Sequence, residues 1–261
     1  METGTPNVLF ERRGPVAWVT FNRPEARNAM TFAMYDALRR VCDHVRETPE
    51  IRVLVLTGAG EKAFVAGTDI GQFTSFKGAQ DALDYEARIG GVITALETLE
   101  RPTIAAIRGY AVGGGAALAM VCDIRVATPD ARFGFPIART LGNALAIGAY
   151  ARLVDLIGPA RTKEMIFRAR LMGADEAHTV GLFSEIVEPE MLREHVQEMA
   201  EQIAANAPLT IQITKEAVHR IAVHRRPPHS SDLIVKAYTS EDFHEGVRAF
   251  LEKRKPNWQG K

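Results

Sequence analysis

Gly109-Tyr110-Ala111-Val112-Gly113-Gly114-Gly115-Ala116-Ala117-Leu118 is the stretch on which the fold turns. It follows the apolar run Thr103 to Arg108. The residues behind its glycines predict a helix to Val121, with another strand over Asp123 to Thr128. A glycine run at a strand-to-helix joint lets the backbone approach a ligand closely. The free N–H groups of the first helical turn, together with the helix dipole, favour a negative charge developing beside them. That is the physics of an oxyanion hole, although three glycines also suit a tight joint that binds nothing. A second stretch, Glu61-Lys62-Ala63-Phe64-Val65-Ala66-Gly67-Thr68-Asp69-Ile70, stands in the same relation to the β-branched run Val53 to Thr57.

Outward from these two stretches, strand alternates with helix. Val8 to Arg12 and Val16 to Asn22, separated by Gly14-Pro15, read as a hairpin. Thr31 caps a segment whose apolar residues Met34, Leu38, Val41 and Val45 share one helical face. A long helical segment from about Asp81 to Leu99 links the strand at Val53 to the strand at Thr103. This rhythm predicts an α/β fold of stacked crossover units. Beyond Gly158-Pro159 the pattern turns helical, with candidate helices near 160–168, 174–180, 189–206 and 208–224. A break at Arg225-Arg226-Pro227-Pro228 precedes two last helices, beginning near Ser231 and Ser240. The expected organisation is an α/β core over 1–190 and a helical C-terminal region over 191–261.

The 261 residues, 46% of them hydrophobic, are enough for a full-sized core. Lys+Arg and Asp+Glu both number 32, so the chain lacks the basic footprint of a nucleic-acid binder, and a small-molecule partner is expected. Cys42 and Cys122 form no C-x-x-C pair and read as reduced core thiols. The opening METGTPNVLFERRG has no signal-peptide pattern, which points to the cytoplasm. Apolar stretches such as Ala111 to Val121 fall short of the roughly 20 residues that cross a bilayer, so no membrane insertion is expected. Gly58-Ala59-Gly60-Glu61-Lys62-Ala63 fits the dinucleotide pattern G-x-G-x-x-A, but the residues after it read as extended instead of helical, which argues against a nicotinamide or flavin.

Five spaced segments together carry a resemblance. Lys62-Ala63-Phe64-Val65-Ala66-Gly67-Thr68-Asp69-Ile70 and Gly109 to Gly115 resemble the two signature motifs of the crotonase (enoyl-CoA hydratase/isomerase) superfamily. Asn22 to Met30, Cys122 to Ala127 and Glu245 to Arg254 agree with it in order and distance, so the likeness spans nearly the whole chain. It implies a spiral of ββα units with a helical C-terminal trimerisation region, assembled as a homotrimer or a dimer of trimers. It further implies an acyl-CoA substrate, with coenzyme A as part of the substrate and no separate cofactor. By position, the backbone N–H groups of Thr68 and Gly114 would hold the thioester oxygen and stabilise an enolate. Arg27, Ala29, Ala66, Asp69, Ile70 and Gly71 would line the acyl-CoA path, while Phe250 and Lys253 would contact the nucleotide end. On residue type alone, Phe250 would be a core residue and Lys253 a solvated charge.

The chain departs from that pattern where hydratases of the superfamily carry two glutamates. Ala117 stands two positions after the three glycines, and Ile137 follows Phe133-Gly134-Phe135-Pro136. A positioned proton-transfer group contributes about 10²- to 10⁴-fold, so crotonyl-CoA hydration is expected to be slow or absent unless another group serves. Asp84 and Glu86 are the nearest carboxylate candidates. In the altered loop Ala138 to Ala144, Arg139 is available for a carboxylate or a developing anion, and Asn143 for a water or a carbonyl. The seven histidines show no H-x-x-x-H spacing, and no metal site is indicated. The leading reading is an enolate-forming acyl-CoA enzyme of the hydratase/isomerase type. Its alternatives are a decarboxylase or hydrolase of acyl-CoA, or a non-catalytic acyl-CoA binder.

Overall fold

The computed structural model describes residues 1–75, 78–224 and 231–260, so the Arg225 to Pro228 break lies outside the described residues. The hairpin forms as β1 (Val8–Arg13) and β2 (Val16–Phe21), paired antiparallel. The next helix, α1 (Phe32–Glu47), is capped by Thr31, whose hydroxyl accepts from the Met34 N–H at 3.3 Å. Three strand pairs follow in succession. They are β3 (Val53–Gly58) with β4 (Ala63–Val65), β5 (Thr103–Ile107) with β6 (Tyr110–Val112), and β7 (Ile124–Ala127) with β8 (Arg132–Gly134). The helices α2 (Ala79–Glu97) and α3 (Gly114–Val121) close the first two pairs, and the short α4 (Ile137–Thr140) with α5 (Ile147–Phe167) closes the third. The chain then runs through β9 (Met172–Gly173), α6 (Ala174–Thr179) and β10 (Glu185–Ile186). It ends in α7 (Leu192–Ala205), α8 (Pro208–His224), α9 (Ser231–Tyr238) and α10 (Glu241–Leu251).

The first strand of each pair enters a six-stranded sheet ordered β1-β2-β3-β5-β7-β10, and the second enters a four-stranded sheet ordered β4-β6-β8-β9. Each of these three turns of the chain therefore adds one strand to each sheet, which is the ββα spiral that the family resemblance implied. Side chains alternate across the larger sheet with period two. Ala17, Val19, Leu54, Leu56, Ala105 and Ile107 face the main core, and Val16, Trp18, Val53, Val55, Ile104 and Ala106 face the other way. That second face is covered by α7 through Leu192, Val196, Ala200 and Ala204, which accounts for the unbroken apolar character of these strands. A third cluster, with Phe73, Ala82, Leu141, Tyr238, Phe243 and Val247 among its members, packs α9 and α10 over α2.

Helix α5 begins at Ile147, well before the helix expected near 160. Gly158 (φ 79°, ψ 160°) is non-helical, so two helices meet at Gly158-Pro159: the expected one begins after the dipeptide, and an unexpected one precedes it from Ile147. Cys42 and Cys122 are buried free thiols, as expected. No described helix is long and apolar enough to cross a membrane.

Candidate active site

Two segments meet where β4 and β6 leave the smaller sheet. After β4, a parallel bridge ties Met30 to Thr68: Met30 N–H donates to Gly67 O and Asp69 N–H to Met30 O, each at 2.9 Å. The Thr68 N–H lies between these two bonds and donates to no backbone carbonyl among the described residues. After β6, Gly113 (φ 55°, ψ −117°) turns the chain into α3 with its own N–H bonded to Gly134 O at 3.0 Å. Only glycine enters that region of φ readily. Gly114 is the first residue of α3, so its N–H has no partner within the helix. A Cβ built on Gly114 would lie 3.0 Å from Thr68 Oγ1 and overlap the Tyr35 hydroxyl, which shows how closely the two segments approach. The expected pair of free N–H groups at Thr68 and Gly114 is thus brought together at a helix N-terminus.

A polar wall stands beside this pair. Thr68 Oγ1 is 2.9 Å from the Tyr35 hydroxyl and 3.2 Å from the Tyr85 hydroxyl. The Tyr85 ring lies 6.2 Å from the ring of Tyr238, which α9 contributes. Tyr238 donates its hydroxyl proton to Glu86 Oε1 at 3.0 Å and accepts from Asn143 Nδ2 at 3.1 Å. Burial raises the Glu86 pKa to about 7, and the Tyr238 hydrogen bond offsets this only in part. Burial likewise lifts Tyr35 to about 12 and carries Tyr85 and Tyr238 well above the ordinary tyrosine value, so all three phenols stay neutral at physiological pH.

Of the two carboxylate candidates, only Glu86 belongs to this wall. Asp84 is exposed and accepts from Gln80 Nε2 at 2.8 Å on the solvated face of α2. Glu86 falls on the stripe formed by Ala82, Ile89, Ile93 and Leu96, and that periodicity is the signal that separates it from Asp84. Asn143 is in the network, whereas Arg139 is exposed on α4 with no ion pair among the described residues. Ala117 is partly buried against the main core and Ile137 is buried, so neither position brings a polar group. Tyr35, Tyr85 and Tyr238 were not singled out from the sequence. Tyr35 falls one turn after the Thr31 cap, on the buried face of α1.

The other expected contacts lie farther along the surface. Arg27 borders a cleft of about 280 Å³ with Pro24, Ala59, Glu61, Lys62 and Ala63, and its guanidinium lies 5.7 Å from the Tyr110 ring centre. Arg27 O accepts from the Ala66 N–H at 3.0 Å, which joins these two positions, and the neighbouring Ala29 is partly buried. Asp69 is committed to its own loop, accepting from Arg23 at 2.7 Å and from the Gly71 N–H at 3.1 Å, while Ile70 packs on the third cluster. Phe250 is 52% exposed, which excludes a core role within this chain, and Lys253 is exposed just past the end of α10. No group of three or more potential metal ligands occurs among the described residues.

A spiral of ββα units that presents two N–H groups at a glycine-started helix is the arrangement that the resemblance to acyl-CoA enzymes implied. The sequence profile described as Enoyl-CoA hydratase/isomerase matches residues 11–261, and the chain belongs to that family. It is 37% identical over 257 residues to the short-chain-enoyl-CoA hydratase of Clostridium acetobutylicum, covering 95% of this chain and 96% of that one. It is 36% identical to the carnitinyl-CoA dehydratase of Salmonella typhi, covering 96% and 97%. Among solved structures, a methylmalonyl-CoA decarboxylase in complex with 2-nitronate-propionyl-CoA superposes with a TM-score of 0.89 at 29% identity, covering 98% and 99% of the two chains. An enoyl-CoA hydratase/carnithine racemase from Magnetospirillum magneticum gives 0.80 at 32% identity, covering 98% and 97%. The fold is the crotonase fold, and the chain is an acyl-CoA enzyme of this family.

Proposed function

We propose that the protein catalyses reversible hydration of a short 2-enoyl-CoA, with Glu86 as the single acid–base group. The observation that carries this reading is the Glu86 carboxyl held at 3.0 Å by Tyr238, whose ring lies 6.2 Å from the Tyr85 ring that reaches Thr68, with burial raising its pKa to about 7. A group with that pKa is well matched to giving and taking a proton near neutral pH. Glu86 carboxylate takes a proton from water while the water oxygen bonds to the β-carbon. The Cα=Cβ electrons move into the thioester as an enolate, whose oxygen the two N–H groups hold. Protonated Glu86 then returns its proton to the α-carbon, so one carboxyl completes the addition of water, and dehydration runs the same steps backwards. Hydratases and a dehydratase among the relatives support this direction.

A second reading, decarboxylation of a malonyl-type thioester, is favoured by the backbone likeness to methylmalonyl-CoA decarboxylase. Loss of CO₂ makes the enolate without a base. Incubating the pure protein with 2-enoyl-, 3-enoyl-, 3-hydroxyacyl- and malonyl-type CoA thioesters and following mass separates the two. Hydration is expected to dominate and to fall about 10²- to 10⁴-fold in Glu86→Gln. Loss of CO₂ at a rate untouched by that substitution would replace the first reading with the second.

A further inference from the structure

Helix α3 carries Gly114 in its first turn, and a charge is buried at its other end. Arg125, in β7, is only 6% exposed. Its Nε donates to Leu182 O at 2.6 Å, its Nη1 to Cys122 O at 2.5 Å and to Ala119 O at 3.3 Å, and its Nη2 to Asp123 O at 3.4 Å. Ala119 O is among the last four carbonyls of α3 and Cys122 is the C-cap, so the guanidinium closes the negative end of the helix dipole. All four acceptors are carbonyl oxygens, and Arg125 forms no ion pair among the described residues. A buried guanidinium without a carboxylate partner is uncommon, since its lost hydration is replaced by dipoles alone.

The neighbouring acid does not cancel this charge. Asp123 turns its Oδ2 to the Thr103 N–H at 2.7 Å, the Thr103 hydroxyl at 2.9 Å and Lys215 Nζ at 2.7 Å. Lys215 therefore offsets Asp123, and Arg125 leaves a net positive charge at the C-terminal end of α3. Eight residues make up α3, so at about 1.5 Å per residue the charge stands about 12 Å behind the Gly114 N–H. Buried side chains fill the interval, among them Ala116, Leu118, Ala119 and Met120, so mobile ions screen it little. With an effective dielectric of about 20, a unit charge at that distance favours a negative charge on the thioester oxygen about five- to tenfold, and has little hold on a neutral thioester.

We infer that Arg125 is a positioning residue for the enolate: it fixes the C-terminal end of α3 and sets a buried positive charge behind the Thr68–Gly114 N–H pair, so that the site favours an anionic acyl thioester over a neutral one. The inference rests on that pair holding the thioester oxygen, and is independent of the role of Glu86. It is testable without any turnover.

2-Nitrobutyryl-CoA binds as its nitronate, which spreads a negative charge toward the thioester oxygen as an enolate does. Butyryl-CoA is its neutral counterpart, and neither has a double bond to hydrate. By calorimetry the unaltered protein should bind the nitronate more tightly. Arg125→Gln, which keeps an amide donor for the carbonyls and removes the charge, should weaken the nitronate about five- to tenfold and butyryl-CoA by less than about twofold. Arg125→Lys, which returns the charge, should recover most of the nitronate affinity. Lys215→Gln leaves Arg125 in place but frees Asp123 to offset it, so it should weaken the nitronate about two- to fourfold with butyryl-CoA unchanged, and it serves if Arg125→Gln unfolds. Nitronate affinity retained in Arg125→Gln, an equal loss for both ligands, or no recovery in Arg125→Lys would overturn the assignment, as would unchanged nitronate binding in Lys215→Gln where that variant carries the test. In those cases the parent's preference for the nitronate leaves the N–H pair standing. No such preference in the parent would remove the pair and the inference with it, while the Glu86 reading is decided separately by turnover.

Discussion

Ionising Glu86 works against the fold, and this gives the residue a pH signature apart from catalysis. Its folded pKa of about 7 lies above the ordinary 4.5, so between those values the native state holds the proton more tightly than the unfolded chain. The stabilisation from the neutral acid is fully present below about 4.5 and is lost as pH rises through about 7. At 1.36 kcal/mol per unit this is on the order of 3 kcal/mol. Glu86→Gln should therefore flatten the dependence of Tm on pH between 5 and 8 and melt above the parent at pH 8. A thermal shift that tracks the parent at every pH would show that Glu86 is solvated and unsuited to acid–base work. The sequence offered Asp84 and Glu86 alike as carboxylates near the acyl site, with a solvated helix face as the other reading for both, and gives Ala117 and Ile137 as apolar. It did not show the phenols of Tyr35, Tyr85 and Tyr238, because they come from three separate helices, α1, α2 and α9, and meet only through packing.

At the scale of elements, the glycine start of α3 was legible although the strand β6 before it was not, and its three glycines are each required by backbone conformation or by a neighbour. Gly113 sits at positive φ, Gly114 faces Tyr35 and Thr68, and a Cβ on Gly115 would overlap the Val65 carbonyl of β4. If Thr68 and Gly114 hold the thioester oxygen as proposed, Gly114→Ala should displace the pair and cost about 10²- to 10³-fold in turnover, the usual effect of losing one such donor. The obstacle is a hydroxyl, so Tyr35→Phe with Gly114→Ala should recover part of the rate while Tyr35→Phe alone changes it little. Steady-state kinetics of the three variants tests this, and a double variant no faster than Gly114→Ala would mean that Thr68 or the helix start is the true obstruction. The elements that escaped the sequence are short or interrupted. β8 has three residues, β9 and β10 have two each, and none is long enough to show period two. The first half of α5 is masked by the kink at Gly158.

At the scale of the whole molecule, the helix least explained by one chain is α8. None of its residues is buried, and Leu209, Ile213 and Ile221 repeat at helical spacing with exposures of 65%, 60% and 54%. Its opposite side is moored to the core by Lys215, which donates to Asp123 Oδ2 at 2.7 Å and to Arg101 O at 3.0 Å, so the apolar stripe points away from the chain's own core. An apolar stripe held outward on an anchored helix is the pattern of an interface between copies. With the number of copies that the family resemblance implies, we expect a homotrimer or a dimer of trimers. Light scattering at micromolar concentration should report that mass, and Ile213→Glu with Ile221→Glu should shift it toward the monomer. Thr68, Gly114, Glu86, Asn143 and Tyr238 all come from one chain, so the dissociated variant should keep its turnover at saturating substrate. Binding is expected to behave differently, because Phe250 and Lys253 are exposed at the end of α10 and are available to a neighbour's nucleotide. KM for the acyl-CoA should rise on dissociation, while KM for the corresponding acyl-pantetheine, which lacks the nucleotide, stays constant. A parent protein that is monomeric at this concentration would refute the assembly. An equal rise in KM for both substrates would confine the nucleotide site to a single chain.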